Sequence, residues 1–405
     1  MKTTALLDVL GLGLDLDQLS REARTLLNQA DIVAGGTRLL DALDIDPCRR
    51  LAFTTAEDFA ERLGVLKQSK KICVVADGDP LIWGLGATLL RFFPRHELRF
   101  HPEISALQMA AARLGLPWAD WALVSLHGRE NLAPLFAALT HHRKVAVCTD
   151  PRHDPAFLAR ALVERGVRGW TMHVAEALCQ PQEQVHSFGP DKLELAKKNT
   201  WHPLTLVVLE QTTAPDEVLT LGLGTNALLH DQGLITKQPV RALALSCLNL
   251  TPDARFWDLG AGSGAISLEA AALVRSGEIV AVERVPRRME HIRKNLARFG
   301  AWMVRPVLAD IETCIRTEES APTHIFFGGG ATPETLGLAM EALAPGGRMV
   351  IAAVLFSTLE LVRKTLSWPM EIHQLYHAQA QALGPDLRLV PDNPVFLIAT
   401  TKPKP

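Results

Sequence analysis

Short apolar runs alternate with longer helical patterns along most of the chain. The runs are three to six residues long and rich in β-branched residues, which is typical of buried strands, and they fall at 72–76, 144–148, 204–209, 279–282, 325–327 and 348–352. The stretches between them are longer and contain good helix formers, as at 106–114 and 265–272. This alternation predicts α/β units around largely parallel sheets.

A polar segment at 211–216 interrupts the alternation near the middle of the chain. A chain of 405 residues is expected to form two domains of ordinary size. The run 204–209 is predicted to be the strand that closes the first domain, and 239–248 is predicted to be the first long helix after the break. We therefore predict domains at 1–212 and 218–405.

Composition narrows the possible partners. With 48% hydrophobic and 21% charged residues the chain is globular, and a net charge of −2 with a single tyrosine gives no basic or stacking surface for nucleic acid. The six cysteines form no C-x-x-C pair, so no metal site is predicted and a reduced, cytoplasmic location is expected. No apolar run reaches about 18 residues, so no membrane span is expected, and residues 1–10 lack the basic region of a signal peptide.

A glycine loop follows a predicted strand in the second half of the chain. Its glycines let the backbone turn sharply and approach a ligand closely, and an acidic residue about 20 positions further on can bind both hydroxyls of a ribose. The cofactor-binding residues expected from this pattern are Asp258, Gly260, Ala261, Gly262, Gly264 and Glu283. The loop lacks the G-x-G-x-x-G spacing of dinucleotide sites and resembles the S-adenosylmethionine (SAM) loop of class I methyltransferases. A nicotinamide-dependent oxidoreductase remains the alternative.

Three further segments are expected to complete this pocket. Asp310 follows the next predicted strand and is positioned to bind the adenine amino group, while Gly328 and Gly329 end the strand after it and leave room for substrate. Thr236 precedes the helix at 239–248 and is a candidate cap for it. Lys237 is not explained by capping and can reach a substrate carboxylate. Thr236 and Lys237 are therefore the catalytic candidates.

Four segments of the second half together resemble one enzyme family. The segments 231–237 (D-x-G-x-I-T-K), 258–264 (D-L-G-A-G-S-G), 282–284 (V-E-R) and 326–330 (F-F-G-G-G) closely resemble the C-terminal domain of the precorrin-6B C5,15-methyltransferases (decarboxylating) of cobalamin biosynthesis. The resemblance implies a Rossmann-like class I SAM-dependent methyltransferase domain that methylates carbon 15 and decarboxylates the ring C acetate.

Four motifs in the first half resemble the tetrapyrrole methylases (class III methyltransferases). They are Gly11-Leu12-Gly13, Asp77-Gly78-Asp79-Pro80, Pro102-Glu103-Ile104-Ser105-Ala106 and Ser125-Leu126-His127-Gly128-Arg129. The resemblance implies a second SAM site, formed by Gly13, Gly78, Asp79, Ser105 and Ala106, and methylation of carbon 5. Two positions depart from the family pattern, because the loop after Gly13 has fewer glycines and prolines and Glu103 replaces the usual glycine.

The whole chain is thus expected to be a bifunctional enzyme with two SAM sites and a small-molecule tetrapyrrole substrate. A polycarboxylate needs cationic neighbours, and the candidates are Lys237, Arg241, Arg284, Arg287 and Arg129. Resemblance also implies a homo-oligomer. Two alternatives stay open, namely the same reactions on the cobalt-containing substrate of the anaerobic pathway and a non-catalytic protein that kept the fold.

Overall fold

The computed structural model describes residues 6–126, 128, 130–197, 200–231 and 235–404. Its strands are β1 (Leu7–Gly11), β2 (Ile32–Gly35), β3 (Arg50–Ala52), β4 (Ile72–Ala76), β5 (Leu98–His101), β6 (Ala122–Ser125), β7 (Lys144–Cys148), β8 (Trp170–Glu176), β9 (Gln184–Phe188), β10 (Thr205–Gln211), β11 (Arg255–Leu259), β12 (Glu278–Glu283), β13 (Val304–Leu308), β14 (His324–Phe327), β15 (Arg348–Ala353), β16 (Met370–Leu375), β17 (Ala378–Leu383), β18 (Asp386–Pro391) and β19 (Val395–Thr401).

The α-helices lie between these strands. They are α1 (Arg21–Gln29), α2 (Thr37–Ala42), α3 (Ala56–Leu66), α4 (Leu85–Leu89), α5 (Ala106–Leu114), α6 (Ala133–His141), α7 (Pro155–Arg165), α8 (Leu193–Ala196), α9 (Gln238–Leu248), α10 (Ala265–Ala271), α11 (Pro286–Phe299), α12 (Ile311–Thr317), α13 (Pro333–Ala342) and α14 (Phe356–Thr365).

The first half contains two five-stranded sheets. The first has the order β3-β2-β4-β1-β5 and is parallel throughout, and its central strand β4 is buried along its whole length, as expected where helices cover both faces. The second sheet has the order β6-β7-β10-β8-β9, in which only the β6–β7 pair is parallel. Helix α5 connects the two sheets, and Ser105 begins it with a capping box to Gln108, as the sequence predicts.

The second half contains one seven-stranded sheet in the order β13-β12-β11-β14-β15-β19-β16. The first five strands are parallel, and β19 runs antiparallel between β15 and β16. The order of strands reverses at β11, which lies between β12 and β14. Ligands of open α/β sheets bind at such a switch point, outside the carboxyl ends of the strands. The sheet therefore positions the glycine loop after β11 at the expected binding crevice.

The two halves contact each other through helices α6 and α7 of the first and the segments that follow α10 and α11 in the second. The Trp302 side chain is buried within the apolar core of the first half. Arg165 donates to the Trp302 carbonyl at 2.9 Å, and Thr140 Oγ1 accepts from the Met303 N–H at 2.9 Å. His141 contacts the Val274 carbonyl through Nε2 at 2.7 Å, while its Nδ1 accepts from Arg275 at 2.9 Å.

The predicted α/β class is confirmed, and the predicted strands and helices lie within a few residues of the observed ones. The helix expected at 239–248 is α9, with Pro239 in its first turn, and the strand expected at 204–209 is β10, which pairs on both sides inside the second sheet. Among the residues that the structure describes, no helix combines the length and apolar character that crossing a membrane requires.

Candidate functional site

The glycine loop after β11 is shaped by backbone contacts that exclude side chains. Gly260 and Gly262 have φ values of +75° and +61°, in the region that favours glycine. A Cβ atom on Gly260 would lie 2.8 Å from the Gly329 carbonyl oxygen, and one on Gly328 would lie 2.8 Å from the Gly260 carbonyl oxygen. The loops after β11 and β14 thus meet backbone to backbone, which leaves a cavity above them.

This first cavity has a volume of about 980 Å³ and lies at the carboxyl ends of β11, β12, β13 and β14. That is at the upper end of the range for small-molecule sites. The structure brings most of the predicted residues of the second half to its wall, namely Thr236, Lys237, Gly260, Ala261, Gly262, Glu283, Asp310, Gly328 and Gly329.

Glu283 connects the glycine loop to the end of β12. Its Oε2 accepts from the Gly262 N–H at 3.0 Å and its Oε1 accepts from the Val285 N–H at 2.9 Å. The side chain is buried, and it faces the cavity. Each carboxylate oxygen has a further lone pair, so Glu283 can hold the loop and accept two hydroxyl groups of a ligand at the same time.

Asp258 and Gly264 are not part of the cavity wall. The Asp258 side chain is 1% exposed, and its Oδ2 accepts from the Ser267 hydroxyl at 2.6 Å and from the Ser267 N–H at 3.2 Å. Burial raises the pKa of Asp258 to about 7. Gly264 precedes α10 with a φ of +76° and packs toward Ile292. Both residues support the glycine loop without lining the cavity.

Asp310 reaches the cavity but also begins a helix. Its Oδ1 accepts from the Thr313 N–H at 2.8 Å and its Oδ2 accepts from the Thr313 hydroxyl at 2.9 Å, so it caps α12. These hydrogen bonds hold the pKa of Asp310 below its usual value. The carboxylate is therefore ionised and fixed in orientation, as a ligand acceptor must be.

The segment before α9 differs from the expectation in one respect. The N-cap position is occupied by Lys237, whose side chain makes no cap hydrogen bond, so the expectation that Thr236 caps this helix is wrong. The Thr236 carbonyl instead accepts from Arg241 Nη1 at 2.7 Å. Both Thr236 and Lys237 line the cavity. The preceding residues 232–234 of the D-x-G-x-I-T-K motif lie outside the described residues.

Arg241 cannot contact substrate, which corrects its place among the cationic candidates. The side chain is 0% exposed and pairs with Glu269 at 2.7 Å. Arg241 also donates to the Leu223 carbonyl, and Glu269 accepts from the Leu223 N–H at 3.0 Å. Arg241 therefore connects α9, α10 and the segment that enters the second half. The sequence pattern gives no sign of this burial, because an arginine on an amphipathic helix is usually exposed.

Other cationic groups lie at the mouth of the cavity. Arg284 and Arg288 belong to its wall. Arg287 lies outside the wall and pairs with Asp231 at 3.0 Å, and Arg288 lies 3.7 Å from the same carboxylate. Asp231 therefore contacts two cationic side chains of the first turn of α11. Arg129 and His127 lie outside the described residues.

The motifs of the first half also come together. The Gly78 N–H donates to the Gly13 carbonyl at 3.0 Å, and both residues have positive φ values. A Cβ atom on Gly78 would lie 3.2 Å from Ser105 Cα, and one on Gly11 would overlap the Gly78 carbonyl oxygen. Three segments that are distant in the sequence thus pack against one another through glycine.

A second cavity of about 430 Å³ lies beside this cluster. Of the predicted residues Gly13 lines it, whereas Gly78, Asp79, Ser105 and Ala106 do not. Asp79 Oδ1 accepts from the Leu81 N–H at 2.8 Å and stabilises the turn after β4. Several residues of the wall lie outside the glycine segments and were not indicated by the sequence motifs. They are Asp15, Met109, Arg113 and Cys179.

Within the described residues, no group of three or more His, Cys, Asp or Glu side chains could hold a metal ion. The two cavities are lined by backbone groups, carboxylates, hydroxyls and cationic side chains. Such sites bind and position a reactive cofactor and its substrate.

Comparison with known proteins matches each half to a family. Residues 7–190 match the tetrapyrrole (corrin/porphyrin) methylases, and residues 227–402 match the precorrin methyltransferase domain. Two Salmonella typhimurium proteins cover one half each. A cobalt-precorrin-7 C(5)-methyltransferase is 37% identical over 40% of this chain and 78% of its own length. A cobalt-precorrin-6B C(15)-methyltransferase (decarboxylating) is 33% identical over 42% of this chain and 89% of its own length.

A third relative covers nearly the whole chain. The precorrin-6Y C(5,15)-methyltransferase (decarboxylating) of Mycobacterium tuberculosis is 31% identical over 97% of this chain and 99% of its own length. The relative is named for precorrin-6Y, where the sequence motifs led us to expect the precorrin-6B enzymes. Because both domain families match in order and one relative matches from end to end, the chain belongs to the family of precorrin-6Y C(5,15)-methyltransferases (decarboxylating) of cobalamin biosynthesis.

Proposed function

We propose that the chain is a SAM-dependent enzyme that methylates precorrin-6B at carbons 5 and 15 and removes the ring C acetate carboxyl group as carbon dioxide. The observation that carries this proposal is the pair of cavities, one beside the glycine motif of each half. We divide the work at the predicted boundary. Residues 1–212 methylate carbon 5, and residues 218–405 methylate carbon 15 and decarboxylate.

In the second half, the cavity wall supplies a group for each part of SAM. Glu283 accepts the ribose hydroxyls, Asp310 accepts the adenine amino group, and the backbone from Gly260 to Gly262 lies against the amino acid end. The SAM methyl group is already electrophilic, and the meso carbons of a reduced tetrapyrrole are enamine-like nucleophiles. Catalysis then consists mainly of holding nucleophile, methyl carbon and sulfur in line in a dry site.

The substrate carries several acetate and propionate groups, which the cationic mouth of the first cavity suits. Lys237, Arg284 and Arg288 line that cavity, and guanidinium groups bind carboxylates through two parallel hydrogen bonds. We propose that these three residues bind side-chain carboxylates of the tetrapyrrole. We further propose that Lys237 and Thr236 lie beside the reacting acetate.

Decarboxylation requires no metal in this scheme. The bond between the acetate methylene and its carboxyl carbon breaks, and its electron pair enters the conjugated tetrapyrrole. A proton from solvent then completes the new methyl group. The protein's task is to hold the acetate bond perpendicular to the ring, which a cation that grips the neighbouring carboxylates can do.

The first half is proposed to hold a second SAM molecule beside Gly13, so that each chain has two cofactor sites. The alternative substrate is the cobalt-containing precorrin, in which the metal belongs to the substrate. Assembly into a homo-oligomer and a cytoplasmic location remain expectations from the sequence.

The test is an incubation of the purified chain with SAM and either metal-free or cobalt-containing substrate, analysed by mass spectrometry. The wild-type chain should add two methyl groups and release one carbon dioxide. Gly262→Asp places a carboxylate in the first cavity, at a left-handed position that aspartate tolerates. In this variant neither the carbon 15 methyl group nor the released carbon dioxide should appear.

Gly166→Asp is the matched control, because Gly166 has a φ of +75° with open space around it and lies outside both cavity walls. It should behave as the wild type. Unchanged substrate with all chains, or tight NADH binding that Gly262→Asp abolishes, would refute the proposal.

A further inference from the structure

The second cavity contains a carboxylate that the fold leaves without a partner. Glu103 belongs to its wall and is half-buried. Its Oε2 lies 3.9 Å from where a Cβ atom on Gly13 would be, and its Cβ lies 3.2 Å from the corresponding point on Gly11. The side chain thus extends across the glycine loop. Within the described part of the chain, Glu103 makes no hydrogen bond or ion pair.

The other charged residues of this wall are already paired. Asp15 Oδ1 accepts from the Asp17 N–H at 3.0 Å and its Oδ2 accepts from Gln18 Nε2 at 2.8 Å. Arg113 forms an ion pair with Glu183, which compensates its positive charge. Counted over the described residues, the wall is therefore negative overall, and Glu103 is the charged group among them that is free to contact a ligand.

SAM and its product S-adenosylhomocysteine differ in the charge on the sulfur atom, and a carboxylate in the cavity wall interacts differently with the two. The sulfonium gives SAM a net charge of +1 near neutral pH. When the S–CH3 bond breaks, its electron pair stays on sulfur, and S-adenosylhomocysteine carries no net charge. A carboxylate beside the sulfur attracts the reactant and has no such attraction for the product.

We propose that Glu103 makes the first-half site selective for SAM over S-adenosylhomocysteine by facing the sulfonium. The inference rests on the proposed function, because it takes SAM as the ligand of this cavity. Methyl transfer then abolishes the charge that Glu103 attracts, so the spent cofactor dissociates more readily. Because the carboxylate is half-exposed, solvent screens it, and we expect a selectivity of roughly tenfold from this one contact.

The test uses the full chain with Gly262→Asp, which leaves the first-half site as the one to be measured. Calorimetry gives the dissociation constants of SAM and S-adenosylhomocysteine with and without Glu103→Gln. The substitution should weaken SAM roughly tenfold and leave S-adenosylhomocysteine unchanged or slightly tighter. It should also reduce the dependence of SAM binding on ionic strength.

Glu57→Gln is the matched control, because it removes the same charge from an exposed position on α3 outside the cavity wall. It should leave both constants unchanged. Equal weakening of both ligands by Glu103→Gln would indicate a merely structural role, and an unchanged ratio would equally overturn the inference. If the parent chain with Gly262→Asp binds neither ligand, the second SAM site itself is wrong, and the proposed function fails with it.

Discussion

Replacing Arg241 by methionine should destabilise the second half strongly, although Arg241 touches no ligand. Arg241 and Glu269 are 0% and 1% exposed, and their charged groups lie 2.7 Å apart. Removing the guanidinium leaves a buried carboxylate without a counter-charge. Breaking a buried ion pair in this way costs about 3 to 5 kcal/mol. For a unit of this size, that corresponds to a fall in melting temperature of roughly 6 to 20 °C.

The effect should reach the proposed catalytic segment, Thr236 and Lys237, as well. Arg241 donates to the Thr236 carbonyl, beside Lys237, so its loss frees one end of the proposed substrate-binding segment. Thermal unfolding followed by circular dichroism measures the stability, and the yield of decarboxylated product at a temperature where the variant is folded measures the activity. Both should fall with Arg241→Met.

Two further variants separate the effect of the uncompensated charge from the effect of the lost hydrogen bond to Thr236. The double variant Arg241→Met, Glu269→Leu should be more stable than the single one, because no uncompensated charge remains. Its activity should stay as low as that of the single variant, because the Thr236 carbonyl still lacks its donor. Lys364→Met breaks an exposed pair with Glu360 and should change the free energy of unfolding by less than about 0.5 kcal/mol. If Arg241→Met shifts the melting temperature no more than Lys364→Met, the burial argument is wrong.

Three other predictions follow from single contacts. Gly260→Ala should abolish SAM binding in the second half and lower the melting temperature, because the new methyl group would lie 2.8 Å from the Gly329 carbonyl oxygen. Gly329→Ala is the control, because a Cβ atom there meets open space, and this variant should remain folded. Calorimetry and thermal unfolding of both variants distinguish them. Burial and the neighbouring Arg275 lower the pKa of His141, so the unfolded chain binds a proton at His141 more readily than the folded chain does. Stability should therefore fall as the pH drops below about 6.5. His141→Gln should make the urea midpoint depend less on pH, and parallel pH curves for variant and wild type would contradict this role of His141. Burial raises the pKa of Asp258 to about 7, so its folded value lies above its unfolded one. The wild type should therefore lose stability relative to Asp258→Asn as the pH rises from about 4 to about 7. A constant difference between the two urea midpoints over this range would refute the reasoning.

Much of the site was predictable because strand ends in a parallel sheet meet at one edge. Glu283 ends one strand, Asp310 follows the neighbouring strand, and Gly260 and Gly328 follow two others. Their order in the sequence was therefore enough to predict that they line one cavity. Ser105 was predictable as a helix cap for a local reason, since its partner Gln108 is three residues away.

The sequence could not reveal which polar residues turn inward. Asp258 and Arg241 looked like ligand-binding groups, yet their partners Ser267 and Glu269 lie 9 and 28 residues further along the chain. Pairs at such distances form only after helices pack, and no local pattern reports them. Arg113 in the second cavity was missed for the same reason, because the wall is built from side chains outside the glycine motifs.

The contacts around Trp302 have a practical consequence for any attempt to divide the protein. A cut near residue 212 would leave the second half with a bare tryptophan that the first half now covers, and would strip the Val274 carbonyl and the Met303 N–H of their partners. The first half would lose the acceptor of Arg165, a guanidinium that also stacks on Phe136. Separately expressed halves should therefore aggregate or bind each other, so each proposed active centre is better silenced by substitution within the intact chain.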